Sequence, residues 1–556
     1  MPMNSDARQL KATKSNWLRR IVPLQLAVLS IGALPLNLFA DLAQPIPVRL
    51  VAKQQATSPG TSLAFDGFYP PSVDAQGNAL VFGTLSGSPD ERRGVWIERG
   101  ASTLAKIAVT GDVQPASQSS FYFAPSFDGS HAYASGGGNV AFSSAFMDSN
   151  GVGVGGGVWL AAPTGAPQLI AAKASVPGIV APVLPNFAQF TEANDAGELV
   201  FAELRNSIYA ASVADGARLV AKTNTVAPGA AGAKFTEVFN PQLNEHGQIG
   251  WQGQVEAPIR TGRGIWKEDA LGNAVLVARE GQAAPGIPTG GFFFFDSFDL
   301  DDNGRIAFAA QTYSPTATAD SGVWAEREGS GLTPLFLEGE LAPGAGDGVR
   351  FSDLDRITMQ VAYGSSGDVA LKSRLAGPGI DAFNDSGLWI AANDGAKRLI
   401  AREGAAAPGV EPGVTFGSFA TTSPVLVNAR GQVAFFAFLE GPGIGNGNDR
   451  GIWAETADGV LTLIARTGAQ YTDSDGSTFT LDTLTMGDRA FGANGHLAFS
   501  SRFAADRLEG VFVSSVVAVP EPAGQCLLAI AVAATVVVFR ASGMPSPEAS
   551  ACWSNC

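Results

Sequence analysis

From Met1 to Gln525 the chain contains no cysteine; its three, Cys526, Cys552 and Cys556, lie near the far end. The body between the termini can therefore hold neither a disulfide nor a cysteine-ligated metal, and its stability has to come from core packing. Positive charge is in deficit as well. Lys and Arg number 36 against 51 Asp and Glu, a formal net charge of −15 with a pI near 4.7. That balance argues against nucleic acid as a partner, because phosphates demand a basic face. Histidine is scarce: His131, His246 and His496 are far apart in the chain. No Ser/His/Asp order, phosphate loop or metal-binding helix emerges.

What the chain does contain is glycine (67), proline (33) and a 46% hydrophobic fraction. Disordered chains are far less apolar, so this composition reads as many short strands joined by Gly/Pro turns. The strands recur. A turn ending in glycine precedes an apolar strand at Gly77, Gly138, Gly197, Gly247, Gly304, Gly367, Gly431 and Gly495, with spacings of 61, 59, 50, 57, 63, 64 and 64 residues. Gly304-Arg305-Ile306-Ala307-Phe308 and Gly431-Gln432-Val433-Ala434-Phe435 are the clearest copies. The Asn or Asp ahead of several of these glycines suits a tight turn needing positive φ.

Two further markers follow in each unit. One is Gly-x-Trp, ending at Trp96, Trp159, Trp266, Trp324, Trp389 and Trp453, with weaker copies at Tyr209 and Phe512. The other is a strand such as Leu276-Val277-Ala278-Arg279 followed by Ala284-Pro285-Gly286, echoed at Leu219 to Lys222 and Leu399 to Arg402. A Phe-rich stretch such as Phe292 to Phe298 supplies a fourth strand. Residues 47–515 thus resemble the exported proteins with tandem NxxGxxAF repeats, a resemblance that implies no defined activity.

Four short strands repeated eight times predict an all-β repeat fold, a single eight-bladed β-propeller, since radial packing buries both faces of each small sheet. An open β-solenoid or a pair of smaller propellers is the alternative. Hairpin-length joints make the Leu-Val-Ala-Arg strand the last of its blade. Unit eight ends at Val513 without that strand, and the spare copy is Arg49-Leu50-Val51-Ala52-Lys53. The expectation is that this N-terminal strand pairs antiparallel beside Gly510-Val511-Phe512-Val513 and closes the ring.

The termini read as addresses. Arg8, Lys11, Lys14, Arg19 and Arg20 precede an apolar stretch over residues 21–39 that ends at Ala40, the order of a signal peptide over 1–40 with cleavage after Ala40. At the other end Val519-Pro520-Glu521-Pro522 precedes a 14-residue apolar run from Cys526 to Phe539, closed by Arg540. That run is short for a stable span and reads as a temporary membrane hold. Residues 519–540 resemble the PEP-CTERM sorting signal of bacterial exported proteins, with Pro520, Glu521, Pro522 and Arg540 as the matching positions. The tail departs from that pattern in having Arg540 alone, followed by residues 541–556. The resemblance implies processing by signal peptidase and an exosortase-type protease, transient inner-membrane anchoring, and delivery to the cell surface or extracellular matrix.

No catalytic or cofactor-binding residue is assigned from the sequence. The tryptophans are expected in the core, between neighbouring sheets, rather than stacked on sugars. Asp299-Leu300-Asp301-Asp302-Asn303-Gly304 matches the start of a calcium loop, but Ala310 stands where the bidentate glutamate belongs, and Asp473-Ser474-Asp475-Gly476 is a weaker match, so no metal is assigned. The three histidines are expected as isolated turn residues. The function these features imply is a non-catalytic exported repeat protein; the alternative is a propeller lectin or enzyme acting on extracellular polysaccharide.

Overall fold

The computed structural model describes residues 47–515 apart from short segments at 88–91, 101–102, 114–119, 123–131, 148–152, 174–182, 185–187, 257–261, 314–319, 353, 355–361, 365, 420–422 and 473–475. The expected cleavage at Ala40 and the sorting residues Pro520, Glu521, Pro522 and Arg540 lie outside the described residues. No helix among the described residues is long and apolar enough to cross a membrane.

Each sequence repeat becomes one antiparallel sheet. Blade 4 shows the plan: Phe235–Leu243, Ile249–Val255, Arg263–Glu268 and Ala274–Arg279 pair in chain order, and Gly291–Leu300, Ile306–Tyr313, Ser321–Arg327 and Gly331–Leu337 repeat it in blade 5. Blade 1 runs from Phe65 to Val109, blade 2 from Ser120 to Leu184, blade 3 from Ala188 to Lys222, blade 6 from Arg350 to Arg402 and blade 7 from Thr415 to Arg466. In blades 1, 2, 6 and 7 the first strand is split into two short pieces that both pair with the second. Blade 2 adds Val183–Leu184, parallel to its outer strand.

Blade 8 is built from both ends of the domain. Val48–Lys53 pairs antiparallel with Glu509–Ser514, from Val48 opposite Ser514 to Lys53 opposite Gly510, and Ala498–Arg502 completes the sheet. Its first strand is reduced to isolated bridges from Leu481, Thr485 and Phe491. The ring is therefore closed by a backbone ladder, as the unmatched N-terminal strand predicted. A bulge supports the equivalence. In seven blades the outer strand bulges opposite the third strand's marker aromatic, as between Ile265 and Trp266, and the closing strand bulges at the same place, between Leu50 and Ala52. A bulge increases local twist, which each blade needs in order to fan outwards.

Eight hydrophobic clusters occupy the eight seams between neighbouring blades. One joins Ala307, Val323 and Phe336 of blade 5 to Phe351, Leu371 and Trp389 of blade 6; another joins Ala52 and Val511 of blade 8 to Phe65, Val81 and Trp96 of blade 1. The marker aromatic always faces the preceding blade. Burying both faces of every sheet in this way forms one continuous annular core.

Candidate functional site

The three repeated markers are structural parts. At Gly94, Gly264, Gly322, Gly387 and Gly451 the indole of the Gly-x-Trp folds over its own glycine: a Cβ on Gly264 would lie 2.8 Å from Trp266 Cη2, and one on Gly322 2.8 Å from Trp324 Cη2. Trp266 Nε1 donates to the Pro228 carbonyl at 2.9 Å, and Trp96, Trp324, Trp389 and Trp453 do the same with Pro59, Pro285, Pro343 and Pro408. The Pro-Gly loop entering each of these blades, Ser58-Pro59-Gly60 in the first and Ala-Pro-Gly in the other four, therefore caps that blade's indole. These rings are fully buried and offer no sugar-stacking face.

The Asx position of the NxxG turn ties neighbouring blades together. Asn244 Oδ1 accepts the His246 and Gln248 amides at 3.1 and 2.9 Å, holding its own turn. Its Nδ2 donates at 2.9 Å to the Asp301 carbonyl of the next blade. Asn194 reaches Asn244 and Asn428 reaches Gly492 in the same way, whereas in blade 2 Ser135 holds the turn and Asn139, just past its glycine, reaches Asn194. One amide side chain so satisfies groups in two blades, which an aspartate, with no donor, cannot do.

The weak calcium match is used up by the turn. Asp301 is fully buried; its Oδ1 accepts the Asn303 and Arg305 amides at 3.0 and 2.7 Å, and its Oδ2 accepts Arg305 Nε at 2.7 Å. In the other match residues 473–475 lie outside the described residues, as does His131. His246 Nδ1 meets the Asp302 carbonyl at 2.7 Å, whereas His496 Nδ1 meets Ser514 at 3.1 Å in blade 8. The two sit in separate blades. Among the described residues no group of three or more His, Cys, Asp or Glu is placed to hold a metal.

Convergent polar chemistry does occur, at a place no repeat marker announced. Arg489 of blade 8 donates to Glu192 of blade 3 at 2.8 Å, and its guanidinium stands 4.9 Å from the ring centroid of Tyr133 in blade 2. Blades 8 and 3 are not neighbours, so this pair spans the central opening. Solvent there still reaches 44% of the Arg489 side chain. Burial pushes the Tyr133 phenol up to about 12, against the attraction of Arg489. Tyr133, then Glu192 and Asp299, hold the guanidinium above its ordinary range despite desolvation.

Beside this cluster runs an acidic arc on three consecutive turns. The Gly137 amide donates to Asp195, the Asp195 amide to Glu245 Oε2 at 2.8 Å, and the Glu245 amide to Asp302 Oδ1 at 3.3 Å. Burial raises the Glu245 carboxyl, the Asp195 amide opposes that, and the Asp195 and Asp302 charges add to it. The arc fastens blades 2 to 5 while presenting negative charge beside the opening. Sequence reasoning missed Arg489 because it lies where unit eight abandons the regular first strand; that break in the pattern was the available signal.

A family model described as "Family of unknown function (DUF7453)" matches residues 42–396 and, again, 261–526. No curated protein matches the chain. Among solved structures, the Dos1 propeller is 9% identical with a TM-score of 0.38, over 84% of this chain and 94% of that one. The polysaccharide lyase Uly1 is 10% identical with a TM-score of 0.34, over 85% and 98%. Puromycin hydrolase is 13% identical with a TM-score of 0.34, over 79% of this chain and 59% of that one, so the chain spans little more than half of that enzyme. Likenesses this weak carry nothing about activity.

Proposed function

Because this chain belongs to the DUF7453 family, whose description assigns no activity, we propose its role from its own chemistry: a non-catalytic, exported structural repeat protein of the cell surface or extracellular matrix. One observation carries this reading. The residues that recur from blade to blade are consumed in seams, with Trp Nε1 on a proline carbonyl, Asn Nδ2 on the next turn, and Glu268 or Glu455 on an arginine of the preceding blade. Repetition here serves the ring rather than a reaction. Export and sorting rest on the signal-like residues before Ala40 and on Pro520, Glu521 and Pro522 ahead of a short apolar run closed by Arg540. Signal peptidase and an exosortase-type protease are the processing partners in this reading.

Mass spectrometry of secreted protein tests it. Mature chains should start after Ala40 and lack the apolar run; intact peptides extending through Phe539, or an unchanged product after Glu521→Ala, would refute processing at the motif.

A second reading, a propeller lectin or enzyme acting on extracellular polysaccharide, is favoured by Arg489, Tyr133 and the Asp195–Glu245–Asp302 arc at the central opening. A glycan-array screen of residues 41–518 decides between them. Binding lost in Arg489→Ala, with melting unchanged, would retire the purely structural role.

A further inference from the structure

Blades 6 and 7 carry the same loop between their second and third strands, so each shows what the other needs in order to fold. Gly377-Pro378-Gly379-Ile380 opens one and Gly441-Pro442-Gly443-Ile444 the other. Asn384 Nδ2 donates to the Gly379 carbonyl at 3.1 Å, and Asn448 Nδ2 to that of Gly443 at 3.0 Å. The Asp381 amide donates to Asn384 Oδ1 at 3.0 Å, and the Gly445 amide to Asn448 Oδ1 at 2.8 Å. Arg402 Nε and Arg466 Nε hold the Asn384 and Asn448 carbonyls at 3.2 and 3.1 Å. On this shared frame the tips differ. Phe383 is 70% exposed in blade 6, where blade 7 has Gly447. An exposed ring adds nothing to burial, and the frame forms without it, so folding does not ask for Phe383.

The same loop walls a slot. Between blades 6 and 7 a space of about 140 Å³ is lined by Ala382 and Asp385 of the loop, with Arg374, Ser386, Glu403 and Ser418 around it. One water takes about 15 Å³ of such space, so roughly nine atoms of that size fit, most of a hexose unit. Donors and acceptors are mixed along the wall: Arg374 donates to Asp385 Oδ2 at 2.7 Å, and Ser386 Oγ to Glu403 Oε2 at 2.8 Å. Lys372 and Arg374 stand against Asp385 and Glu403, so the wall carries no net charge. In blade 7 the residues matching Ser373, Arg374 and Glu403 are Ala437, Phe438 and Thr467. Where glycine replaces the exposed ring, the wall has lost most of its charge.

We propose that Phe383 and this slot form a binding site for a neutral, β-linked glucan. A β-glucose unit, with its hydroxyls equatorial, offers a flat C–H face to an aromatic ring and a rim of hydroxyls to either side. Phe383 takes the face. Arg374 donates to the rim, while Asp385 and Glu403 accept from it, and their existing pairings hold these groups in place before the sugar arrives. The Phe383 amide, donating to Asp381 Oδ1 at 2.9 Å, fixes the tip that displays the ring. A uronate would bring a second negative charge to Asp385 and Glu403 without a free cation to meet it, which selects the uncharged sugar. No bond is made or broken. The site shares no residue with the Arg489 cluster, so it goes beyond both roles given above and depends on neither.

The test uses the whole purified protein and isothermal titration with cellohexaose, with hexagalacturonate as the charged comparison. Cellohexaose should bind about tenfold or more tightly than hexagalacturonate. Phe383→Gly, which gives blade 6 the residue that blade 7 already has, should weaken cellohexaose about tenfold or more with melting unchanged, and Phe383→Trp should restore binding. Leu271→Ala removes another exposed apolar side chain, in blade 4, and should bind as the unaltered protein does. Absence of cellohexaose binding would overturn the proposal. So would equal affinity in Phe383→Gly, equal affinity for hexagalacturonate, or a loss in Leu271→Ala as large as that in Phe383→Gly.

Discussion

Arg49 grips Glu98 across the seam between blades 8 and 1, with Nη2 on Oε2 at 2.7 Å, while Glu98 also accepts the Ala79 amide at 2.8 Å. Arg218 and Glu268 make the same contact between blades 3 and 4, and Arg398 and Glu455 between blades 6 and 7. In all three the arginine stands four residues before the basic residue that ends the outer strand, and the glutamate two residues after the Trp. The N-terminal strand thus performs every task of a blade's own outer strand.

Removal of residues 47–53 should therefore lower the melting temperature far more than trimming a loose terminus would. Glu98→Ala should destabilise more than Arg49→Ala. Glu98 is 2% exposed and its loss strands both the Ala79 amide and the guanidinium, about 2–3 kcal/mol, whereas the partly exposed arginine is worth about 1 kcal/mol. Urea unfolding of both variants checks the order.

Gly264→Ala tests the packing of the indole. The new Cβ would meet Trp266 Cη2 and the Ala278 carbonyl, each at 2.8 Å, so overpacking should remove about 1–3 kcal/mol. Gly445→Ala, with nothing within 4 Å, should change stability by less than about 0.5 kcal/mol. Equal effects in thermal melts would contradict the account of the Gly-x-Trp marker.

Asn244→Asp separates the two jobs of the turn residue. The carboxylate keeps the acceptor for His246 and Gln248 but has no proton for the Asp301 carbonyl, so it should lose about 1–2 kcal/mol, and Asn244→Ala, which loses both, about 2–4 kcal/mol. Chemical denaturation of the two variants gives the comparison.

Asp296, in the first strand of blade 5, carries a pH prediction. Burial raises its carboxyl from 3.8 to about 6 against the pull of Arg263, and its Oδ2 is buried without a hydrogen-bond partner. The folded state therefore binds the proton more tightly than the unfolded chain, and stability falls as pH rises from about 4 to about 6. Asp296→Asn should stabilise the protein at pH 7 by on the order of 1–3 kcal/mol, with the gain fading towards pH 4. A gain that is the same at both pH values would show that the carboxyl is not the cause.

The number of blades, the phase of strands within each, the seam position of the tryptophans and the closure by Val48–Lys53 were all legible in the sequence. Each follows from short-range patterns repeated eight times: a glycine that a turn or an indole requires, alternation along a strand, and one marker strand displaced to the other terminus. The charged groups at the centre and in the seam were not legible. Arg489 and Glu192 are 297 residues apart, and no local period distinguishes a side chain aimed at the opening from one aimed at solvent. Lys372 reads in the sequence as one more polar residue on a strand. Only the docking of blade 7 against blade 6 buries it and brings its Nζ to the Ser423 carbonyl, because the surroundings of a seam residue come from two repeats at once.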